Sequence, residues 1–151
     1  MNKRNIKFWL LIALITLTNT GGFGKIDGPG KTEREKIRLE DKKWLLEALN
    51  GKQVPVAGAS AFIVFDAKKG SAGGNTSCNV FGGSYKAGGE SIVITDIILT
   101  MRACEEDERM TIEREFLDGL QKATRYEIKR GTLYLFRGRS LLLTLRGTDK
   151  R

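Results

Sequence analysis

Apolar positions along this chain follow two periods. In EEDERMTIEREFLDGLQKA, residues 105–123, Ile112, Phe116, Leu117, Leu120 and Ala123 recur at three- and four-residue steps, which sets them on one face of an α-helix. Acids crowd its first turn and Lys122 stands in its last, as the helix dipole favours. Gly119 inside it costs up to ~1 kcal/mol relative to alanine, so a close packing contact is expected there. Elsewhere the period is two or the run is short. Ala61–Phe65, Ser91–Thr95, Tyr126–Ile128, Thr132–Phe136 and Leu141–Leu145 are rich in strand formers. The last two flank Arg137-Gly138-Arg139, where glycine permits a tight hairpin. Leu141, Leu143 and Leu145 fall on one face, with Leu142 and Thr144 on the other. In Lys42–Gly51, Trp44, Leu46 and Leu49 would serve one face before a turn at Asn50-Gly51. These elements predict a mainly β (α+β) fold, a small antiparallel β-barrel or half-barrel meander with one amphipathic helix packed against it.

A different pattern opens the chain. Lys3, Arg4 and Lys7 precede the apolar run Phe8–Leu17, and TNTGGFG follows. A basic start, a short apolar stretch and a small-residue exit read as a secretory signal peptide over 1–24. The run is short for a membrane span, which needs about 20 residues, so no stable span is expected once the signal is removed. Because TNTGG is a weak cleavage site, anchoring by an uncleaved N-terminal helix is the alternative, and a buried N-terminal helix a further one. Residues 25–41 carry Gly28-Pro29-Gly30 and then dense mixed charge, expected as a flexible linker with room for a short helix in its second half. The folded domain is expected over 42–147, with a tail at 148–151.

Removing residues 1–24 leaves 23 basic against 18 acidic residues, interleaved rather than blocked. That pattern is a solvated surface, not a nucleic-acid track, although a mild basic excess favours anionic lipid, polysaccharide or an acidic partner. The chain has no histidine, which removes Ser-His and Cys-His dyads and the commonest transition-metal ligand. Catalysis would have to rest on Asp66, Asp96 or the acids Glu105–Glu108, and nothing fixes two of them at a defined separation. No enzymatic activity, cofactor or metal is expected.

The stretch GGNTSCNVFGGSYKAGGE, residues 73–90, holds six glycines and one of two cysteines. It lacks the Lys-[Ser/Thr] that closes a P-loop, and strand rather than helix follows Gly83. Cys78 has no imidazole to activate it, and acids follow Cys104 directly. In an exported chain the default is one disulfide, Cys78–Cys104, closing a loop of about 26 residues worth roughly 3–4 kcal/mol; two free buried thiols are the alternative if the chain is not exported. Gly73, Gly74, Gly82 and Gly83 then permit sharp bends and close approach around the crosslink. Asn79 suits a left-handed or side-chain-capped turn, and Tyr85 is expected to satisfy its hydroxyl locally.

CNVFGGSY (78–85) resembles the C-N-x-[aromatic or apolar]-x-G-x-Y motif of the META domain, the family of the HslJ heat-shock proteins. WLLEALNG (44–51), TMRAC (100–104), EREFLDGL (113–120) and LYLF (133–136) resemble its other signature segments in order. The resemblance marks Trp44, Gly51, Asn79, Gly82, Tyr85, Thr100 and Ala103 as structural motif positions, with Cys78 and Cys104 going together. It implies a compact β-rich domain with one helix, bacterial envelope residence and a part in stress tolerance, and it brings no catalytic residue. Many bacterial members are lipoproteins, but no lipobox cysteine follows the apolar run here. The sequence therefore predicts a non-catalytic, monomeric protein exported to the periplasm or beyond, bound to an unidentified envelope protein. A small apolar ligand held between sheet and helix, or a protease-inhibitor or chaperone-like role, is the alternative.

Overall fold

The computed structural model describes residues 36–55, 60–104 and 107–150. The expected signal segment and all but the last six residues of the expected linker lie outside them. A short 3-10 helix at Leu39–Asp41 leads into β1 (Lys43–Leu49) and β2 (Lys52–Gln53), followed by β3 (Phe62–Asp66), β4 (Ser71–Asn75), β5 (Val80–Gly88) and β6 (Ser91–Leu99). The helix α1 (Asp107–Lys122) comes next, and β7 (Arg125–Lys129), β8 (Thr132–Arg137) and β9 (Ser140–Thr148) end the domain.

Every strand pairs antiparallel with its neighbours, in the order β2-β1-β3-β4-β5-β6-β7-β8-β9, and β1 also pairs β9. That last pairing turns the meander into a ring-like half-barrel. β1 carries β9 along one edge from Lys43 to Leu49, and on its other edge β3 at Trp44 and Leu45 and β2 at Ala48 and Leu49. The tight turns use the positive φ that the sequence supplies, at Asn50 and Gly51 (50° and 77°), Gly89 (60°) and Gly138 (58°).

Period-two alternation sends one face of each long strand inward. Trp44, Ile63, Phe65, Ile92, Leu133, Leu135, Leu143 and Leu145 are buried there, with Ile112, Phe116 and Leu120 entering from α1. Each such side chain contributes roughly 1.5–3 kcal/mol on leaving water. Phe116 meets Phe81 edge-on at 6.0 Å between ring centroids. Gly119 is buried against β9, where a Cβ would stand 2.7 Å from Leu143 Cδ2.

Several expectations are corrected. The packed chain begins before Lys42, because Leu39 is 2% exposed and belongs to the core. The glycine stretch forms β4 and β5 rather than bends alone, since Gly73 pairs Gly82 in register between them. Leu141 does not share the inner face with Leu143: a register shift pairs Leu135 with Leu143 but Phe136 with Leu141, and Leu142 packs on the core instead. One extra residue in a strand reverses the side-chain alternation beyond it.

Candidate functional site

The cysteine motif folds into a junction between the β4–β5 turn, the 100–104 segment and α1. Asn75 Oδ1 accepts the Ser77 N–H at 2.7 Å, and Ser77 takes the left-handed conformation at φ 81°. The left-handed position is thus Ser77, while Asn79 takes the other form expected of it and caps the turn through its side chain. Asn79, 2% exposed, is the hub. Its Oδ1 accepts the Thr100 hydroxyl and the Arg102 N–H, both at 2.8 Å. Its Nδ2 donates to Arg102 O at 3.3 Å and to Glu113 Oε1 at 3.1 Å. Glu113 Oε2 takes the Thr76 hydroxyl and, at 3.2 Å, the Asn79 N–H. One carboxylate from the second turn of α1 therefore satisfies three donors of the turn.

Cys78 and Cys104 flank this junction at disulfide distance, with Cα atoms 6.0 Å apart. Thr100 also accepts the Val80 N–H at 3.2 Å, so its hydroxyl serves both sides of the gap. Ala103 is exposed beside the pair. Sequence reasoning placed Glu113 in a family segment without giving it a role; its signal was an acid three residues before the buried Phe116.

The motif aromatics work elsewhere. Trp44, fully buried, donates its Nε1–H to Leu39 O at 2.7 Å. Tyr85 stacks edge-on against Phe65 with ring centroids 4.9 Å apart, and its hydroxyl donates to Glu40 Oε1 at 2.6 Å, a distant partner rather than a local one. Burial, then the bond to Glu40, holds the Tyr85 hydroxyl well above the ordinary tyrosine range. These contacts pin the short 3-10 helix onto the ring. Gly51 closes the β1–β2 turn. Gly82 lies on β5, with neither a positive φ nor any atom within 4 Å of where its Cβ would be.

A sequence model of the META domain matches residues 37–148. The chain belongs to the META domain family. It has no match among curated proteins. A protein from Burkholderia xenovorans solved by NMR is 21% identical, with TM-score 0.60, covering 81% of this chain and 99% of its own. A second NMR structure is 22% identical with TM-score 0.59, covering 74% and 92%. A crystal structure of a DUF4847-family protein from Bacteroides vulgatus is 14% identical with TM-score 0.53, covering 75% and 96%. At these identities the likeness is one of fold.

Within this META domain the carboxylates do local work. Asp66 Oδ1 accepts the N–H groups of Lys68 and Lys69 at 3.0 and 3.2 Å, and Asp96, at φ 55°, accepts the Thr95 hydroxyl at 2.9 Å. Glu105 and Glu106 lie outside the described residues, and Asp107 and Glu108 are exposed at the start of α1. Among the described residues no helix is long and apolar enough to cross a membrane. The ring interior is filled by side chains, whereas a groove of about 850 Å³ opens on its outer face over β3, β4 and β5.

Proposed function

We propose that this META domain is an exported, non-catalytic protein of the bacterial cell envelope that binds another envelope component and through it contributes to stress tolerance. The observation that carries the reading is the cysteine pair, brought to disulfide distance across a junction that Asn79 and Glu113 also hold. A crosslink at that place is useful only where thiols oxidise. The basic and apolar start of the chain supports export. The filled interior favours recognition on the outside of the ring over an apolar ligand held within it. The hydrogen-bonded employment of Asp66, Asp96 and Glu113 favours structure over acid–base work.

The test is the intact mass of the protein from its host's envelope, alkylated under denaturing, non-reducing conditions. A shortened chain without alkyl groups is expected. A full-length chain carrying two alkyl groups, recovered from the cytosol, overturns the reading.

A further inference from the structure

The outer groove has a floor that packing explains only in part. Val64 on β3, Gly73 on β4, Gly82 on β5 and Ile98 on β6 form one row across the sheet. Ile63 and Phe65 point into the core, so alternation turns Val64 outward. Neighbouring strands lie roughly 4.8 Å apart, which leaves the two glycines as a bare gap in an otherwise apolar row. At Gly73 a Cβ would come within 3.0 Å of Phe81 O, so glycine there serves packing. At Gly82 it would meet nothing. Glycine inside a strand weakens it, and where packing gives no reason it often marks the close approach of a ligand.

The rim supplies the second half of the chemistry. Arg38, Lys43, Lys68, Lys69 and Lys150 line the groove, against the acids Glu40 and Asp66. Glu40 accepts the Tyr85 hydroxyl, Asp66 accepts two backbone N–H groups and pairs Lys69 at 4.0 Å, and Lys150 Nζ donates to Phe65 O at 3.1 Å. Lys43 lies over the Phe62 ring at 3.9 Å, joining the cationic rim to the apolar floor. Lys68 and Lys69 stand in the β3–β4 turn.

We propose that this groove binds a single-chain anionic amphiphile, its apolar chain laid over Gly82 and Gly73 beside Val64 and Phe62 and its acid group among the lysines. A simple inorganic anion would leave the apolar floor unused, and a neutral chain would leave the ammonium groups of Lys43 and Lys68 without an anion. The assignment gives a chemistry to the envelope component of the preceding section and rests on that reading for location only.

The test titrates the full chain with monomeric dodecanoate, followed by amide NMR, with dodecyltrimethylammonium as the cationic control. Saturable shifts at Gly73, Gly82 and Gly83 with dodecanoate alone are expected. Gly82→Val should fill the gap, leave thermal stability equal or higher because valine favours strand, and weaken binding at least tenfold. Replacing Lys68, Lys69 and Lys150 by glutamine should also weaken it about tenfold or more, and added salt should weaken it in the unaltered chain. No saturable shift, equal response to the cationic chain, or shifts confined to another face each overturn the proposal. So does binding to phosphatidylglycerol vesicles without binding of the monomer. Groove binding by a protein that proves cytosolic would sink the envelope reading alone; an exported protein that ignores dodecanoate would sink this one alone.

Discussion

The ring is closed in two unlike ways. On one side β8, β9 and β1 pair along nearly their full lengths, from Thr132 opposite Arg146 to Lys43 opposite Thr148, with Leu133, Leu135, Leu143 and Leu145 packed behind. On the other side β6 meets β7 at the single pair Ser91–Arg125, with the Ile92 N–H to Thr124 O at 3.2 Å and the Tyr126 N–H to Glu90 O at 2.7 Å beside it. Backbone does the closing on the first side. On the second, α1 packs against β6 as well as against β8 and β9, and the Asn79–Glu113 junction with its cysteine pair ties the helix start to β5. A continuous ladder loses little when one side chain changes, because its hydrogen bonds remain. A joint made of side chains and a cysteine pair has fewer, larger dependencies.

The largest expected effect comes from emptying that joint. Phe116→Ala removes a fully buried ring that packs on Phe81 and should cost about 3–5 kcal/mol in urea unfolding. Leu135→Ala on the laddered side should cost about 2–5 kcal/mol. The two should differ in kind. If α1 depends on Phe116, its variant has a partly opened native state and a lower m value, whereas Leu135→Ala keeps m unchanged. Equal m values in both variants would remove the distinction between the two sides.

Reduction comes next. Opening the Cys78–Cys104 loop, of sequence separation 26, should cost about 3–4 kcal/mol in the chain-entropy model and raise m, because the denatured chain expands. Hydrogen exchange after reduction should accelerate first at the amides of Ile92, Arg102 and Tyr126, while those paired between β8 and β9 hold. Uniform acceleration would show that the crosslink supports the whole ring rather than its weaker joint.

The same contrast explains what could be read from the sequence. Although the register shift that turns Leu141 away from the face of Leu143 is not legible, the helix and the strands of the laddered side carry their own periodic apolar positions and are legible as elements. So is the contact at Gly119, because a glycine inside a helix needs a reason. β4 and β5 were hidden, since Gly73, Gly74, Gly82 and Gly83 leave no alternation of side chains to count. Leu39 and Glu40 were hidden for another reason: a charged segment shows its value only through partners as remote as Tyr85. The cysteine motif could be recognised, but its mechanism could not. Which donors Glu113 serves depends on where the β4–β5 turn lies relative to the second turn of α1, and no local pattern encodes that.

A smaller effect measures how tightly α1 is seated across the ring. Gly119→Ala places a methyl within 2.7–3.1 Å of three Leu143 carbons. Overpacking of this kind costs about 1–3 kcal/mol, offset by up to ~1 kcal/mol of helix propensity. Combining it with Leu143→Ala should cost at least about 1 kcal/mol less than the sum of the single changes, since the methyl would occupy the vacated space. Additive costs would mean that the helix shifts away from β9 rather than bearing on it.

The smallest effect appears only in alkali. Burial and the bond to Glu40 raise the Tyr85 pKa in the folded protein above its ordinary value of 10.0, and burial raises that of Tyr126 as well. The unfolded chain therefore loses these protons first. Stability from Tyr85 is fully present below pH 10.0 and falls as the pH rises above it, with a limiting slope of about 1.4 kcal/mol per pH unit for each proton. Lysines titrate over the same range, so the informative quantity is the difference between the native sequence and Tyr85→Phe. At neutral pH the variant should be less stable by about 0.5–1.5 kcal/mol, the net value of one hydrogen bond. Above pH 10 the gap should narrow, because only the native sequence loses stability through this phenol. A gap constant from neutral pH into alkali would place the Tyr85 hydroxyl in water, and the 3-10 helix at Leu39–Asp41 would then be held by Trp44 without it.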